Sequence, residues 1–263
     1  MAGKKVNAHL EQLIGLLDNR EELTTRQIME ILSVSESTAR RLINLLARRE
    51  DMARTFGGVC RVPAGETEYR YEQLEKQSQS GKRTIAQRAL SLIQNGDVLY
   101  IDGGTTNACL AAALCDACRT EKRENITVFT NSLVTLNLLS SVCNVHCVGG
   151  RYRKNRRDFC GQLAENAVAG LRFSRAFLGA DACETDRGFT TTDFETARLS
   201  AAVLASSDKS YVLADSDKFR RTSLVPYAAL SAVNGIITDK QPEQEQRKAY
   251  LAAGAAFLPN TSK

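Results

Sequence analysis

The chain has 263 residues, 43% of them hydrophobic and 25% charged, with a formal net charge of +5. That length holds one large core or two domains, and the composition is that of a globular chain, not a disordered or fibrous one. No apolar run approaches the roughly 18 residues of a membrane span. Residues 1–20 carry charges inside an amphipathic pattern, unlike a signal peptide, so a cytoplasmic protein with no membrane partner is expected.

In chain order, Leu10, Leu13, Ile14 and Leu17 fall at i, i+3, i+4 and i+7, which predicts a first helix with one apolar stripe. Thr24 and Gln27 have the spacing of a capping box opening a second, short helix, which carries Ile28, Ile31 and Leu32 to the core and stops near Ser33. Ser35 caps a third helix whose Ala39, Leu42, Ile43 and Leu46 point inward. Two short helices joined by a tight turn form a helix-turn-helix. Met52 to Phe56, the turn glycines Gly57-Gly58 and Val59 to Val62 predict a small hairpin. Residues 1–62 therefore predict a winged helix-turn-helix domain.

Between Thr38 and Arg61 stand six arginines, Arg40, Arg41, Arg48, Arg49, Arg54 and Arg61, against two acids, Glu50 and Asp51. That local excess is what binding to the phosphates of double-stranded DNA requires. Ser35, Ser37, Thr38, Arg40 and Arg41 occupy the part of the third helix that enters a major groove. Arg40 or Arg41 is the candidate for a guanine edge, and the hydroxyls are candidates for phosphate. Arg54 and Arg61 on the wing suit phosphate or the minor groove. The competing reading is a small three-helix protein-interaction domain with a solvated arginine face.

Residues 63–83 are polar and charged and read as a linker, partly helical over Glu68–Gln77. From residue 84 to 263 short apolar strands alternate with helices. Strands are predicted at 97–101, 126–130, 145–148, 176–179, 211–214 and 235–238. Helices are predicted at 84–93, 107–114, 132–139, 163–171, 195–205 and 243–252. This alternation predicts an α/β domain with a parallel sheet covered on both faces. Nearly every strand ends in glycine, asparagine, serine or aspartate, and ligands of open α/β sheets sit at that edge.

The strongest local signal is Asp102-Gly103-Gly104-Thr105-Thr106 between a strand and a helix, where backbone N–H groups and the helix dipole favour an anion. Gly103, Gly104, Thr105 and Thr106 are read as a phosphate cradle completed by Asn131 and Ser132, with Gly150 at a neighbouring strand end. Lys218 is a point charge for a phosphate or hydroxyl. Asp102, Asp181 and Glu195 are acceptors for sugar hydroxyls. In an enzymatic alternative, Glu195 is the base, with Asp181 nearby, of an aldose–ketose phosphate isomerase. Asp215 and Asp239 read equally well as helix caps. The basic run 151–157 reads as a solvated loop, a lid over an anionic ligand or a second DNA contact.

Most of the eight cysteines read as small buried hydrophobes, Cys109, Cys143 and Cys147 among them. Cys115 and Cys118 have metal or redox spacing, but no second pair shares it and His9 and His146 are remote in sequence. They read as a helix end, and no metal or cofactor is expected.

The order of these motifs resembles the DeoR family of bacterial transcriptional regulators. In the first domain the resemblance rests on Val34-Ser35, Thr38, Arg40-Arg41 and Gly57-Gly58. In the second it rests on Ile101 to Thr106, Thr130 to Ser132, Gly149-Gly150, Phe177 to Gly179, Ala214 to Phe219 and Thr238-Asp239. It implies a winged helix-turn-helix repressor of carbohydrate catabolism genes. It also implies a second domain similar to ribose-5-phosphate isomerases, a phosphorylated sugar as inducer, and a homodimer or homotetramer. Activation in place of repression stays open, because the sign depends on operator position. Two departures stand out. The recognition helix has Leu42-Ile43 where the family usually has Asp-Leu, and the wing has Phe56 where the family usually has His.

Overall fold

The computed structural model describes residues 2–17, 22–46, 52–54, 58–61, 70–120 and 123–258. The chain divides into two compact units, Met1–Glu68 and Tyr69–Lys263.

The first unit runs α1 (Ala2–Leu17), β1 (Glu22–Thr24), α2 (Thr25–Leu32), α3 (Glu36–Leu46), β2 (Met52–Arg54) and β3 (Gly58–Arg61). The capping box at Thr24 is formed: its hydroxyl accepts the Gln27 N–H at 3.3 Å and the Gln27 side chain accepts the Thr24 N–H at 2.9 Å. Ser33 closes α2 in a left-handed conformation, and the Ser35 hydroxyl accepts the Thr38 N–H at 3.4 Å as α3 opens. Leu13, Leu17, Ile28, Ala39, Leu42, Ile43 and Leu46 meet in one core with Leu23, Met52 and Val59. The strand β1 has no signal in the sequence, being three residues long and ending on the α2 cap Thr24. It pairs antiparallel with β3, placing Leu23 opposite Val59 in a sheet of order β1-β3-β2. The expectations for Arg48, Arg49, Phe56, Gly57 and residues 63–69 lie outside the described residues.

The second unit begins α4 (Tyr71–Lys76), α5 (Gln79–Leu90), β4 (Val98–Ile101), α6 (Thr105–Thr120), β5 (Thr127–Thr130), α7 (Leu133–Leu139) and β6 (Asn144–Cys147). A hairpin of β7 (Arg151–Arg153) and β8 (Asp158–Cys160) follows, then α8 (Gln162–Ala169) and β9 (Arg175–Gly179). Next come β10 (Ala182–Glu184), β11 (Gly188–Thr191), α9 (Phe194–Ala205), β12 (Ser210–Leu213), β13 (Val225–Ala228), β14 (Gly235–Ile237) and α10 (Gln244–Ala252). The six predicted strands form one sheet of order β14-β12-β9-β4-β5-β6, parallel throughout.

Strand alternation divides its two faces. Leu99, Ile101, Phe177 and Leu213 pack with Ile85, Leu110 and Leu114 of α5 and α6. Tyr100, Ala176, Leu178 and Val212 pack with Val168, Leu199, Val203 and Tyr250 of α8, α9 and α10. Three layers result, as both-face burial of a parallel sheet demands.

The linker expectation is corrected over residues 70–83, which fold into the second unit. Tyr71, Gly81 and Lys82 are buried there, and α5 begins at Gln79. The segment looked polar because its inward positions include a glycine and a lysine. The β7–β8 hairpin and the antiparallel sheet β10-β11-β13 were also unforeseen, their sequences Arg151–Arg153, Asp158–Cys160, Ala182–Glu184, Gly188–Thr191 and Val225–Ala228 lacking any run of three β-branched or aliphatic residues.

Candidate functional site

On α3, Ser35, Ser37, Arg40 and Arg41 are exposed and Thr38 is half-buried. The Ser35 hydroxyl lies 3.0 Å from those of both Ser37 and Thr38. Arg40 forms an ion pair with Glu36 one turn back, at 2.7 Å. Such an exposed pair is worth little and competes weakly with a DNA phosphate or base. Arg41 makes no ion pair among the described residues. The side chains of Arg54 and Arg61 lie outside the described residues, although their strands form the predicted hairpin.

In the second unit a cleft partly open to solvent lies at the carboxyl ends of β4, β9 and β12. Of the predicted residues it brings together Asp102, Gly103, Gly104, Thr105, Thr106, Asp181 and Lys218. Gly104 has φ of 96°, a conformation that suits glycine and turns the chain from β4 into α6. The opening N–H groups of α6 have no helical carbonyl four residues back, so they aim at the cleft with the positive end of the helix dipole.

Asp102 is buried, accepting the N–H of Gly103 at 2.8 Å and of Gly179 at 3.2 Å. Burial pushes its pKa up to about 6 despite those bonds, with nearby Asp158 adding to the push. For Asp181, burial opposes the charge, but Arg156, Lys218, the Thr191 hydroxyl and the Thr192 N–H hold it below the usual carboxylate range. Lys82 is pushed below the usual lysine range by burial, which Asp215 opposes. The cleft thus offers Lys82, Arg156, Lys218 and Arg221 as cations beside carboxylates. It combines anion donors with hydroxyl acceptors, the requirements of a phosphorylated polyol.

Asn131, Ser132, Gly150 and Glu195 do not line this cleft. The Asn131 carbonyl accepts the Gly103 N–H at 3.0 Å while its amide donates to the Phe159 carbonyl at 3.1 Å. Asn131 therefore braces the glycine loop from behind, and the Gly103 N–H is already engaged. Ser132 caps α7 by accepting the Thr135 N–H at 3.2 Å. Gly150, with φ of 148°, lets the chain pass the Cys160 backbone, whose carbonyl would stand 2.5 Å from an added Cβ. Glu195 is paired with Arg151 and accepts from the Cys160 thiol at 3.4 Å. Burial works against its charge, but these two partners hold its carboxyl low, unsuited to a general base near neutral pH.

The basic run 151–157 is split: Arg151, Tyr152, Lys154 and Asn155 are exposed, while Arg153, Arg156 and Arg157 are half-buried and paired. Arg153 grips Asp158 with two bonds of 2.8 Å and reaches Asp193 and Thr196 at 2.9 Å each. Burial opposes the Arg153 charge, but Asp158 and Asp193 raise its pKa further. Arg156 pairs with Asp193 at 3.1 Å and Asp181 at 3.4 Å. Arg157 pairs with Glu72 at 2.8 Å. Lys82, Arg156, Asp158, Thr196 and Arg221 are cleft residues missed in the sequence. Only Arg156 stood in a flagged segment.

Asp215 caps the turn over Ser216–Arg220 as well as lining the cleft. Asp239 accepts the Ser216 N–H at 2.8 Å. Cys115 and Cys118 lie on the last turns of α6, and no metal-binding group of three or more ligands occurs among the described residues. Cys147 is exposed on the edge strand, contrary to expectation. No helix among the described residues is long and apolar enough to cross a membrane.

Residues 10–63 match the DeoR-like helix-turn-helix domain and residues 77–240 match the DeoR C terminal sensor domain. The chain belongs to the DeoR family. This DeoR-family protein is a DNA-binding transcriptional regulator with a C-terminal sensor domain. It is similar to the HTH-type transcriptional regulator GlpR of Haloferax volcanii, 27% identical over 96% of this chain and 97% of that one. It is also similar to the lactose phosphotransferase system repressor of Lactococcus lactis, 31% identical over 88% of this chain and 90% of that one. Among solved structures, ribose 5-phosphate isomerase A of Methanocaldococcus jannaschii aligns with a TM-score of 0.40 and 18% identity. That alignment covers 52% of this chain and 53% of the isomerase.

Proposed function

We propose that this regulator is a cytoplasmic repressor of carbohydrate catabolism genes whose hold on an operator weakens when a phosphorylated sugar enters the cleft. The observation that carries the reading is the meeting of the α6 opening turn with Lys82, Lys218 and Arg156 beside Asp102 and Asp181. A phosphoryl group suits the helix end and the cations, and sugar hydroxyls suit the carboxylates. The repressing sign is supported by the relatives named as repressors. In the first unit Ser35, Ser37, Thr38, Arg40 and Arg41 are the α3 contacts to DNA, with Arg54 and Arg61 on the wing. A homodimer or homotetramer fits this use, since a helix-turn-helix reads two half-sites through a two-fold axis.

The test takes duplexes selected from a random pool by the full-length protein and titrates the complex with aldose and ketose monophosphates. Matching unphosphorylated sugars serve as controls, and each monophosphate is also checked for turnover by NMR. Release by a monophosphate alone, with no turnover, supports the reading. Turnover, or release by every sugar alike, refutes it. Sedimentation of the free protein and its complex tests the oligomeric state.

A further inference from the structure

Lys82 is 4% exposed, on the first turns of α5, yet it lines the cleft. Among the described residues it forms no ion pair. Its ammonium instead donates to the carbonyls of Leu74 and, at 2.8 Å, Gln77. Those carbonyls end α4, at the negative end of its dipole, and the Leu74 carbonyl also accepts the Gln77 N–H at 3.1 Å. An ammonium has three donors, so two hold α4 and one is left for a ligand oxygen.

The turn that Lys82 closes is strained. Ser78, between α4 and α5, has φ of 49° without being glycine, a conformation that persists only where its surroundings hold it. The Lys82 N–H adds a bond of 3.0 Å to the Ser78 carbonyl.

From its other side α4 is tied to the β7–β8 hairpin. The Tyr71 N–H donates to the Asn155 carbonyl at 2.9 Å. Arg157 pairs with Glu72 at 2.8 Å and stacks 5.2 Å over the Tyr71 ring. The same hairpin supplies Arg156 and Asp158 to the cleft. Helix α4 is thus held by one cleft residue and by the neighbours of two others. From its amino end the chain runs to the DNA-binding unit, which closes at Glu68.

We propose that Lys82 is the link between effector binding and DNA binding. An anionic group entering the cleft draws the ammonium off the Leu74 and Gln77 carbonyls, the Ser78 turn opens, and α4 is released. Lys82 both meets the anion and latches α4 in this scheme, and the scheme rests on the effector reading of the cleft.

The experiment is hydrogen–deuterium exchange at residues 73–77 of the full-length protein, paired with operator binding. The probes are inorganic phosphate and whichever sugar monophosphate most raises the melting temperature. In the wild type the probe speeds exchange at these amides and weakens operator binding, by about 5- to 150-fold for an ordinary allosteric coupling. In Lys82→Met exchange is already fast without probe. The probe raises its melting temperature by less, one cation of the cleft being lost, and at probe concentrations that saturate the variant the probe-induced change in operator affinity falls toward onefold. A lysine that only binds the anion would shift the probe concentration needed but leave the change at saturation as large as in the wild type.

Ser78→Pro, whose ring forbids the left-handed conformation, leaves Lys82 in place. It shows fast α4 exchange and weakened operator binding with no probe, and it carries the test if Lys82→Met does not fold. Equal probe-induced operator release in Lys82→Met and wild type overturns the proposal. So does slow α4 exchange in both variants. If no anion binds the wild type, the effector reading fails on its own, and the probe-free exchange of the two variants still judges the latch.

Discussion

Asp102 carries a prediction whose sign changes with pH. Burial lifts its carboxyl from the ordinary 3.8 to about 6 in the folded protein. Below the lower value both folded and unfolded chains are protonated, and Asp102 costs nothing. Between the two values the unfolded chain binds fewer protons than the native one, so stability falls as pH rises. Above the upper value the cost is constant, about 3 kcal/mol for a difference of that size. Asp102→Asn removes the charge but keeps only one acceptor oxygen. With that oxygen on the Gly179 N–H, the Gly103 N–H keeps Asn131 but loses Asp102 and faces the new amide NH2. The lost bond and the donor–donor contact cost about 1–3 kcal/mol at any pH.

The variant is therefore less stable than wild type by about 1–3 kcal/mol near pH 4 and equal or more stable by up to about 2 kcal/mol near pH 7. The chain has no tryptophan, and all seven of its tyrosines lie at or beyond Tyr69. Tyrosine fluorescence in urea titrations of the full-length protein therefore follows the second unit alone. A stability difference between variant and wild type that stays flat from pH 4 to 7 would refute the reasoning.

Other expectations are as concrete. Arg153→Met leaves Asp158 buried without its two bonds and should cost about 3–5 kcal/mol, a melting shift on the order of 10 °C. Adding Asp158→Asn should recover most of that, and an unrecovered double variant contradicts the account. Gly150→Ala meets the Cys160 carbonyl and should destabilise by about 1–3 kcal/mol, with a neutral urea midpoint as the contrary result. Arg40→Ala breaks only an exposed pair with Glu36; stability should change by less than about 1 kcal/mol. Operator affinity, measured by fluorescence anisotropy, should nevertheless fall by about 1–3 kcal/mol if Arg40 reads a base edge. The Arg40→Ala, Arg41→Ala double variant should fold, by circular dichroism, and fail to bind operator.

The sequence shows the central parallel strands and their order of helices because burial on both faces writes apolar runs, as in Val98–Ile101 and Tyr211–Leu213; the edge strand β6, mostly exposed, is legible only from its place in the alternation. The capping box at Thr24 and the glycine loop at Asp102 are legible for the same reason: each is a local device of fixed spacing. What escaped was carried by contacts between distant segments. Asn131 looked like a ligand for an anion because it ends a strand, but its partners are Gly103 in the loop after β4 and Phe159 on β8. Arg153 looked solvated because its partners Asp158, Asp193 and Thr196 converge only in three dimensions. Lys82 sat in a stretch whose polarity spoke for a linker, and its burial follows from the position of α4.

The central claim, that the cleft takes a phosphorylated sugar, is tested most directly by the melting temperature of the full-length protein against sugar monophosphates and their unphosphorylated counterparts. At about 100 times its dissociation constant a ligand adds about 2.7 kcal/mol of stability, roughly 5–10 °C for a unit of this size. The account predicts such a rise with monophosphates only, and its loss in both Thr105→Val and Lys218→Ala. Equal rises with unphosphorylated sugars, or full rises retained in both variants, would contradict it.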